Sequence, residues 1–290
     1  MRRGLPYTGP VISGTEVISL VVVGLVAGGL GGLLGIGGSI VMIPVLTLIF
    51  SHNQHLAQAA AMIVNIFVAI PSMFQHHREG AVRWDAVWRV LPFGVLFIIV
   101  GVELSNTLDP RKLQLLFGVF LLYVIYMNVM KLFSDEGESE PGNGGVSWLS
   151  CGFVGAVTGF MAGLLGIGGG ILTVPLLQRA CRLPLRQCIA SSAAIMVLTA
   201  IVGAFRKNMA LADAPIVGDE VLRWQHALVI AVCFIPTAIV GGLLGARLTH
   251  SLKLGWVRLA FILLLCWASW QMLGLEELFG KAAQAFPYNP

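Results

Sequence analysis

Residues Gly24–Leu46 read GLVAGGLGGLLGIGGSIVMIPVL, and Gly155–Leu177 read GAVTGFMAGLLGIGGGILTVPLL. Laid at a constant offset of 131, the two stretches agree at 13 of 23 positions. Their shared core is GLLGIGG, then Ile, then a proline at Pro44 and Pro175. Each glycine inside a helix costs about 1 kcal/mol relative to alanine. The helix is therefore expected to break at Gly35–Gly38 and again at Gly166–Gly170. Matching breaks in the two halves of an apolar chain are the sequence sign of a transporter's binding site. The upstream glycines are read differently. Gly24, Gly28 and Gly32, then Gly155, Gly159 and Gly163, and also Gly241 and Gly245, recur every fourth residue. That spacing lets helices touch closely.

Working outward, the 290 residues are 57% hydrophobic and only 11% charged, with a mean hydropathy of +0.86. A soluble domain carries roughly 25% charged residues. Too little charge is present to coat a globule, so the chain is read as an integral membrane protein. Its apolar runs have helical length and lack the alternation of a barrel strand. The net charge of +4 is scattered over short loops, with no basic block for nucleic acid. Cys151, Cys181, Cys188, Cys233 and Cys266 show no metal-ligand spacing and are read as free thiols among helices, so no metal or cofactor is expected. The apolar run that starts near Val17 has no clear cleavage site and is read as retained.

The organisation is two homologous repeats, 1–133 and 148–290, around an acidic Gly/Pro-rich linker at 134–147. Each repeat holds one Gly-broken element and three ordinary spans, which makes the fold class all-α and polytopic. In the first half the spans are 55–74, 86–104 and 113–133, and in the second 188–205, 224–248 and 259–273. The broken element is too long for one untilted crossing and too short for two full helices. Two partial helices fit, either as a re-entrant hairpin, which makes the repeats inverted, or as a broken crossing, which makes them parallel. Lysine and arginine split 10 against 8 under either arrangement, so the positive-inside rule does not choose. The inverted arrangement is expected, because broken helices at a midplane site belong there.

A helix that starts inside lipid leaves its first N–H groups without partners. Together with the positive end of the helix dipole, those groups suit an anion. The candidate substrate contacts are Gly35, Gly37, Gly38 and Ser39 in the first half, and Gly166, Gly168, Gly169, Gly170 and Thr173 in the second. Asn65 is a polar interruption of an apolar span, which is either an interhelical hydrogen bond or a ligand contact. Ser191 and Ser192 either touch substrate or bond back to their own helix. Arg206 and Lys207 stand where the span 188–205 is expected to end and read as interfacial anchors. If that end dips into a vestibule, Arg206 can grip an anion bidentately. His76 and His77 read as a solvated loop pair. Mid-span acids, HExxH, GxSxG and the GK[ST] of a P-loop are all lacking, which argues against an intramembrane enzyme.

The doubled motif, GLLGIGGSIVMIPVL at Gly32–Leu46 and GLLGIGGGILTVPLL at Gly163–Leu177, resembles the TauE/SafE family of sulfite-exporter-like and sulfonate-exporter-like permeases. The small-residue runs Ala59-Ala60-Ala61 and Ala190-Ser191-Ser192 match as well, although the first lacks hydroxyls. The resemblance covers both halves. It implies a multi-pass inner-membrane protein that moves small sulfur-containing anions such as sulfite, sulfoacetate or other sulfonates. The function expected is secondary transport by alternating access. The competing readings are a passive anion channel and a permease for a non-sulfur anion. The expected partners are the small anionic substrate and the bilayer, and the GxxxG faces suggest a homodimer.

Overall fold

The computed structural model describes residues 14–34, 38–133, 147–213, 216–217, 220–221, 224–248 and 254–275. Gly35, Gly37, the N-terminal segment 1–13 and linker residues 134–146 lie outside them. The described chain is helical apart from an antiparallel pairing of Ile216–Val217 with Glu220–Val221. In order, the helices are α1 (Gly14–Leu34), α2 (Ser39–Pro44), α3 (Gln54–Arg78), α4 (Trp84–Thr107) and α5 (Pro110–Phe133). There follow α6 (Trp148–Leu165), α7 (Gly170–Ala180), α8 (Leu185–Asp213), α9 (Trp224–Leu248) and α10 (Leu254–Leu273). The chain is a polytopic helical membrane protein. Six of the helices are long and apolar enough to cross a bilayer. Large apolar side chains such as Leu149, 85% exposed, and Ile18, 68% exposed, point outward where water would penalise them and lipid does not.

Local chemistry sets the helix ends. The Asn53 side chain accepts the His55 N–H at 2.9 Å and opens α3. Pro110 stands at the first position of α5, where its missing N–H costs nothing. Pro44 lies inside α2, and a π-helical turn follows at once over Val45–Ile49. A proline cannot donate to the i−4 carbonyl, so the ladder slips there.

The four-residue glycine spacing is a packing device. A Cβ on Gly155, Gly159 or Gly163 of α6 would lie 2.3, 2.3 and 2.2 Å from the carbonyl oxygens of Val90, Gly94 and Ile98 on α4. On α1, a Cβ on Gly28 would meet the Ala238 carbonyl of α9 at 2.2 Å, and one on Gly241 would meet that of Leu25 at 2.3 Å. These faces are filled by the chain's own helices, so the described glycines are accounted for by packing within one chain. Residue numbers rise together along both pairs, 90, 94 and 98 against 155, 159 and 163, and Gly24 and Gly29 against Thr237 and Gly241, so α4 runs parallel to α6 and α1 parallel to α9.

The pairs α3/α8 and α5/α10 run the other way. His55 meets Lys207, Met62 lies beside Gly203, and Ala69 clusters with Met196 and Val197. Arg111 reaches the Met272 carbonyl, while Ser269 reaches that of Gly118. Contacts between the halves also come in matched pairs: α4 with α6 and α1 with α9, α4 with α8 and α3 with α9.

In the second half the broken element is a hairpin. A Cβ on Gly169 would lie 3.5 Å from the Thr158 carbonyl, and Cys181 Sγ sits 3.7 Å from Cys151 Sγ. Thus α7 folds back along α6 from tip to base. Its 11 residues reach about 16 Å, roughly half the hydrocarbon thickness. In the first half the start of α2 lies against α1 at the matching position, since a Cβ on Gly38 would lie 3.4 Å from the Ala27 carbonyl. Two boundaries that carry named side chains differ from expectation. Helix α3 continues past Phe74 to Arg78, so His76 and His77 lie in its last turn and not in a loop. Helix α8 continues past Phe205 to Asp213, so Arg206 and Lys207 are not at a helix end.

Candidate functional site

The second hairpin tip is built by three left-handed glycines. Gly166 closes α6 at φ +76°, and Gly168 and Gly169 follow at +68° and +77°. An L side chain in that region costs roughly 1–2 kcal/mol, which accounts for the glycine density. The Leu172 and Thr173 N–H groups bond back to the Gly169 carbonyl at 3.1 and 3.0 Å. Helix geometry leaves the Gly170 and Ile171 N–H groups with no partner inside α7.

The two tips meet. Ser39, at the start of α2, is 1% exposed and donates its hydroxyl to the Ile167 carbonyl at 3.1 Å. Asn65 of α3 is also 1% exposed, and its Nδ2 has no hydrogen-bond partner. That nitrogen would lie 2.7 Å from a Cβ placed on Gly168, with Met196 Sδ at 3.1 Å. So Gly38, Ser39, Asn65 and Gly166–Gly170 gather around the middle of α3.

The other expected contacts stand apart or are engaged elsewhere. The Thr173 hydroxyl donates to the Gly169 carbonyl at 2.9 Å, and that of Ser192 to Ile189 at 2.8 Å. Ser191 Oγ accepts the Arg83 N–H at 3.0 Å, where α4 begins. The Arg206 guanidinium is ion-paired with Glu103, far along α8 from Gly168.

The sequence reading passed over Gln58. Its Cβ would be 2.9 Å from a Cβ on Gly166, and its Nε2 donates to the Leu164 carbonyl at 3.2 Å, just before the tip. Its Oε1 accepts from Ser105 Oγ at 3.0 Å. Beyond Ser105 lies Lys207, read as an interfacial anchor but wholly buried. Gln54 is buried too, with both amide atoms unpartnered. The overlooked signal is spacing: amides at 54, 58 and 65 share one stripe of a helix.

At the other end of α3, Glu79 is ion-paired with Arg186 at 3.0 Å. The Arg186 guanidinium holds the Glu79 carboxyl below its ordinary value. Among the described residues, no three His, Cys, Asp or Glu side chains gather for a metal.

The family model "Sulfite exporter TauE/SafE" matches residues 20–272. The chain is 24% identical over 267 residues to the probable membrane transporter protein MamO of Paramagnetospirillum magneticum, covering 82% of this chain and 41% of that protein. It therefore spans about two-fifths of the length of that relative. It is 30% identical over 236 residues to the probable membrane transporter protein MJ0441 of Methanocaldococcus jannaschii, covering 77% of this chain and 84% of the relative. Identity to the probable membrane transporter protein YunE of Bacillus subtilis is 25% over 270 residues, covering 81% and 89%. No solved structure matches. A polytopic helical chain with a doubled glycine motif, matched over residues 20–272 by this family model, belongs to the TauE/SafE family.

Proposed function

We propose that the chain is a secondary transporter that carries a small anion between the two hairpin tips, and that the anion is a sulfonate such as sulfoacetate, or sulfite. The observation that carries this reading is the meeting of Ser39 with Ile167 beside the unpartnered Asn65 Nδ2. A buried donor without an acceptor costs about 1–3 kcal/mol. An anion oxygen held there by Asn65 Nδ2 and the free N–H groups of α7 removes that cost. Glycine brings the backbone within reach, and a sulfonate offers three oxygens to such a cradle.

The repeats fit an inverted relation. Helices α3 and α8 are counterparts and run antiparallel, as do α5 and α10; a two-fold axis in the membrane plane produces that arrangement. Rocking one repeat against the other would expose the tips to each face in turn. We place the chain in the inner membrane as an exporter, in line with the family's description.

The test is counterflow in proteoliposomes preloaded with unlabelled sulfoacetate or sulfite. A carrier accelerates entry of the labelled anion from outside, whereas a channel shows no such acceleration. Competition by a carboxylate isostere such as malonate, stronger than by sulfoacetate, would redirect the reading to a non-sulfur anion.

A further inference from the structure

Lys207 is a fully buried amine in the last third of α8. Its Nζ contacts His55 Nδ1 at 3.1 Å, Ser105 Oγ at 2.7 Å and Asn106 Oδ1 at 2.9 Å. An ammonium has three N–H bonds, and these three neutral acceptors take all of them. Among the described residues no carboxylate lies within ion-pair distance of Nζ. The nearby Glu103 is paired with Arg206, and Asp109 with Lys112. An uncompensated charge at such a place is expensive and marks function.

The neighbours of the amine have directions. His55 Nε2 lies 3.1 Å from the Leu108 carbonyl, at the end of α4. With Nε2 donating there, Nδ1 is free to accept from Lys207. On the other side Lys207 donates to Ser105, Ser105 donates to Gln58 Oε1, and Gln58 donates to the Leu164 carbonyl. One run of bonds thus joins the amine to Leu164, in the last turn of α6 before the hairpin tip. Each bond in such a run polarises the next.

We infer that Lys207 is the site where this transporter binds and releases its coupling proton, with His55 as the route to the membrane face and Ser105–Gln58 as the link to the hairpin. This rests on the transporter reading above. In the step itself, the Nζ–H bond breaks and the proton joins His55 Nδ1. The imidazolium then swings its Nε2–H off the Leu108 carbonyl and gives that proton to water at the membrane face, which leaves a neutral amine facing the Nδ1–H tautomer of His55. The two N–H bonds left on Nζ still reach Ser105 and Asn106, but they lose the charge assistance of an ammonium, and this weakens the run of bonds that holds Gln58 against Leu164. Proton release and hairpin movement are then one event.

The charged and titratable groups around Nζ are few. They are His55 on α3, Glu103 on α4 and its partner Arg206 on α8, and Asp109 with Lys112 after α4. Helix α9 carries His226 in its first turn, while Cys151 of α6 clusters with Cys188 and Ala190 at the opposite end of α8.

Two measurements test this. The first needs no substrate. Side-chain 15N NMR of lysine-labelled protein in nanodiscs should show one resonance, absent from Lys207→Gln or Lys207→Arg, that passes from amine to ammonium between pH 9 and pH 5. A resonance that stays in one form throughout overturns the proposal. The second uses sulfoacetate and sulfite in proteoliposomes. The wild type should accumulate at least one of them severalfold under an imposed pH gradient. Lys207→Gln and Lys207→Arg should lose that accumulation and keep counterflow, because a guanidinium does not release its proton. Gradient-driven accumulation retained in both variants, or absent from a wild type that performs counterflow, overturns it. A wild type that moves neither anion counts against the transport reading, while the resonance still decides the proton site.

Discussion

Ser39 and Ile167 stand 128 residues apart in the chain, yet the hydroxyl of one donates to the carbonyl of the other at 3.1 Å. They belong to the two copies of one motif, and this bond joins the copies at their tips. Removing the hydroxyl leaves a buried carbonyl without that donor. Ser39→Ala should lower stability by about 1–3 kcal/mol, read by thermal unfolding in detergent. It should raise the KM for sulfoacetate more than it lowers kcat. Unchanged stability would mean that the tips are not held together in this way.

Gly168 and Gly169 separate backbone strain from site crowding. Both are left-handed, so alanine costs each about 1–2 kcal/mol. A Cβ on Gly169 meets only ordinary contacts, the nearest at 3.4 Å, but one on Gly168 strikes Asn65 Nδ2 at 2.7 Å. Gly168→Ala should therefore abolish transport, while Gly169→Ala keeps part of it. Trimming the obstacle in the double variant Gly168→Ala/Asn65→Ala should recover stability relative to Gly168→Ala alone. Equal losses in the two single variants would remove Asn65 from the tip.

Gly159 belongs to the other class of glycine. A Cβ there would lie 2.3 Å from the Gly94 carbonyl, with backbone on both sides and nothing flexible to yield. Gly159→Ala should push α4 and α6 apart and cost about 1–3 kcal/mol. The expected result is less folded protein in the membrane, with an unaltered KM in what remains. A changed KM at full expression would contradict a packing role.

The Glu79–Arg186 pair gives a pH signature at the end of α3. The folded state holds the Glu79 carboxyl below its ordinary value of 4.5. A depressed carboxyl adds stability that is present above the unfolded value and is lost as pH falls through the folded one. Both side chains are open to solvent, so the effect is small and screened by salt. Arg186→Gln should unfold at a slightly lower temperature than wild type at pH 7 in low salt. The two melting curves should draw together as pH falls below the ordinary carboxyl value, and again at high salt.

Gln58 should reveal itself as a link between helices. Gln58→Leu keeps bulk but strands the Leu164 carbonyl and the Ser105 hydroxyl, so a loss of about 1–3 kcal/mol is expected. Gln58→Glu keeps the acceptor for Ser105 and loses only the donor, and should be milder at acid pH. Unfolding of the two variants across pH checks the order.

The motif, its doubling and the low charge determined much from the amino acids alone. Glycine cannot hold a helix at such density, and 11% charge cannot clothe a soluble surface. Those two facts were enough for a helical membrane protein with two breaks, and four-residue spacing was enough for the packing glycines. What tertiary structure alone decided is who faces whom. Hairpin against broken crossing depends on whether Cys181 returns to Cys151, a contact invisible to hydropathy. Lys207 follows an apolar span and so reads as a surface anchor, yet α8 carries on to Asp213 and the ends of α3 and α4 close over the amine. Arg206, its neighbour, turns to Glu103 instead. A side chain's exposure is set by the helices packed around it, and no local window of sequence contains them.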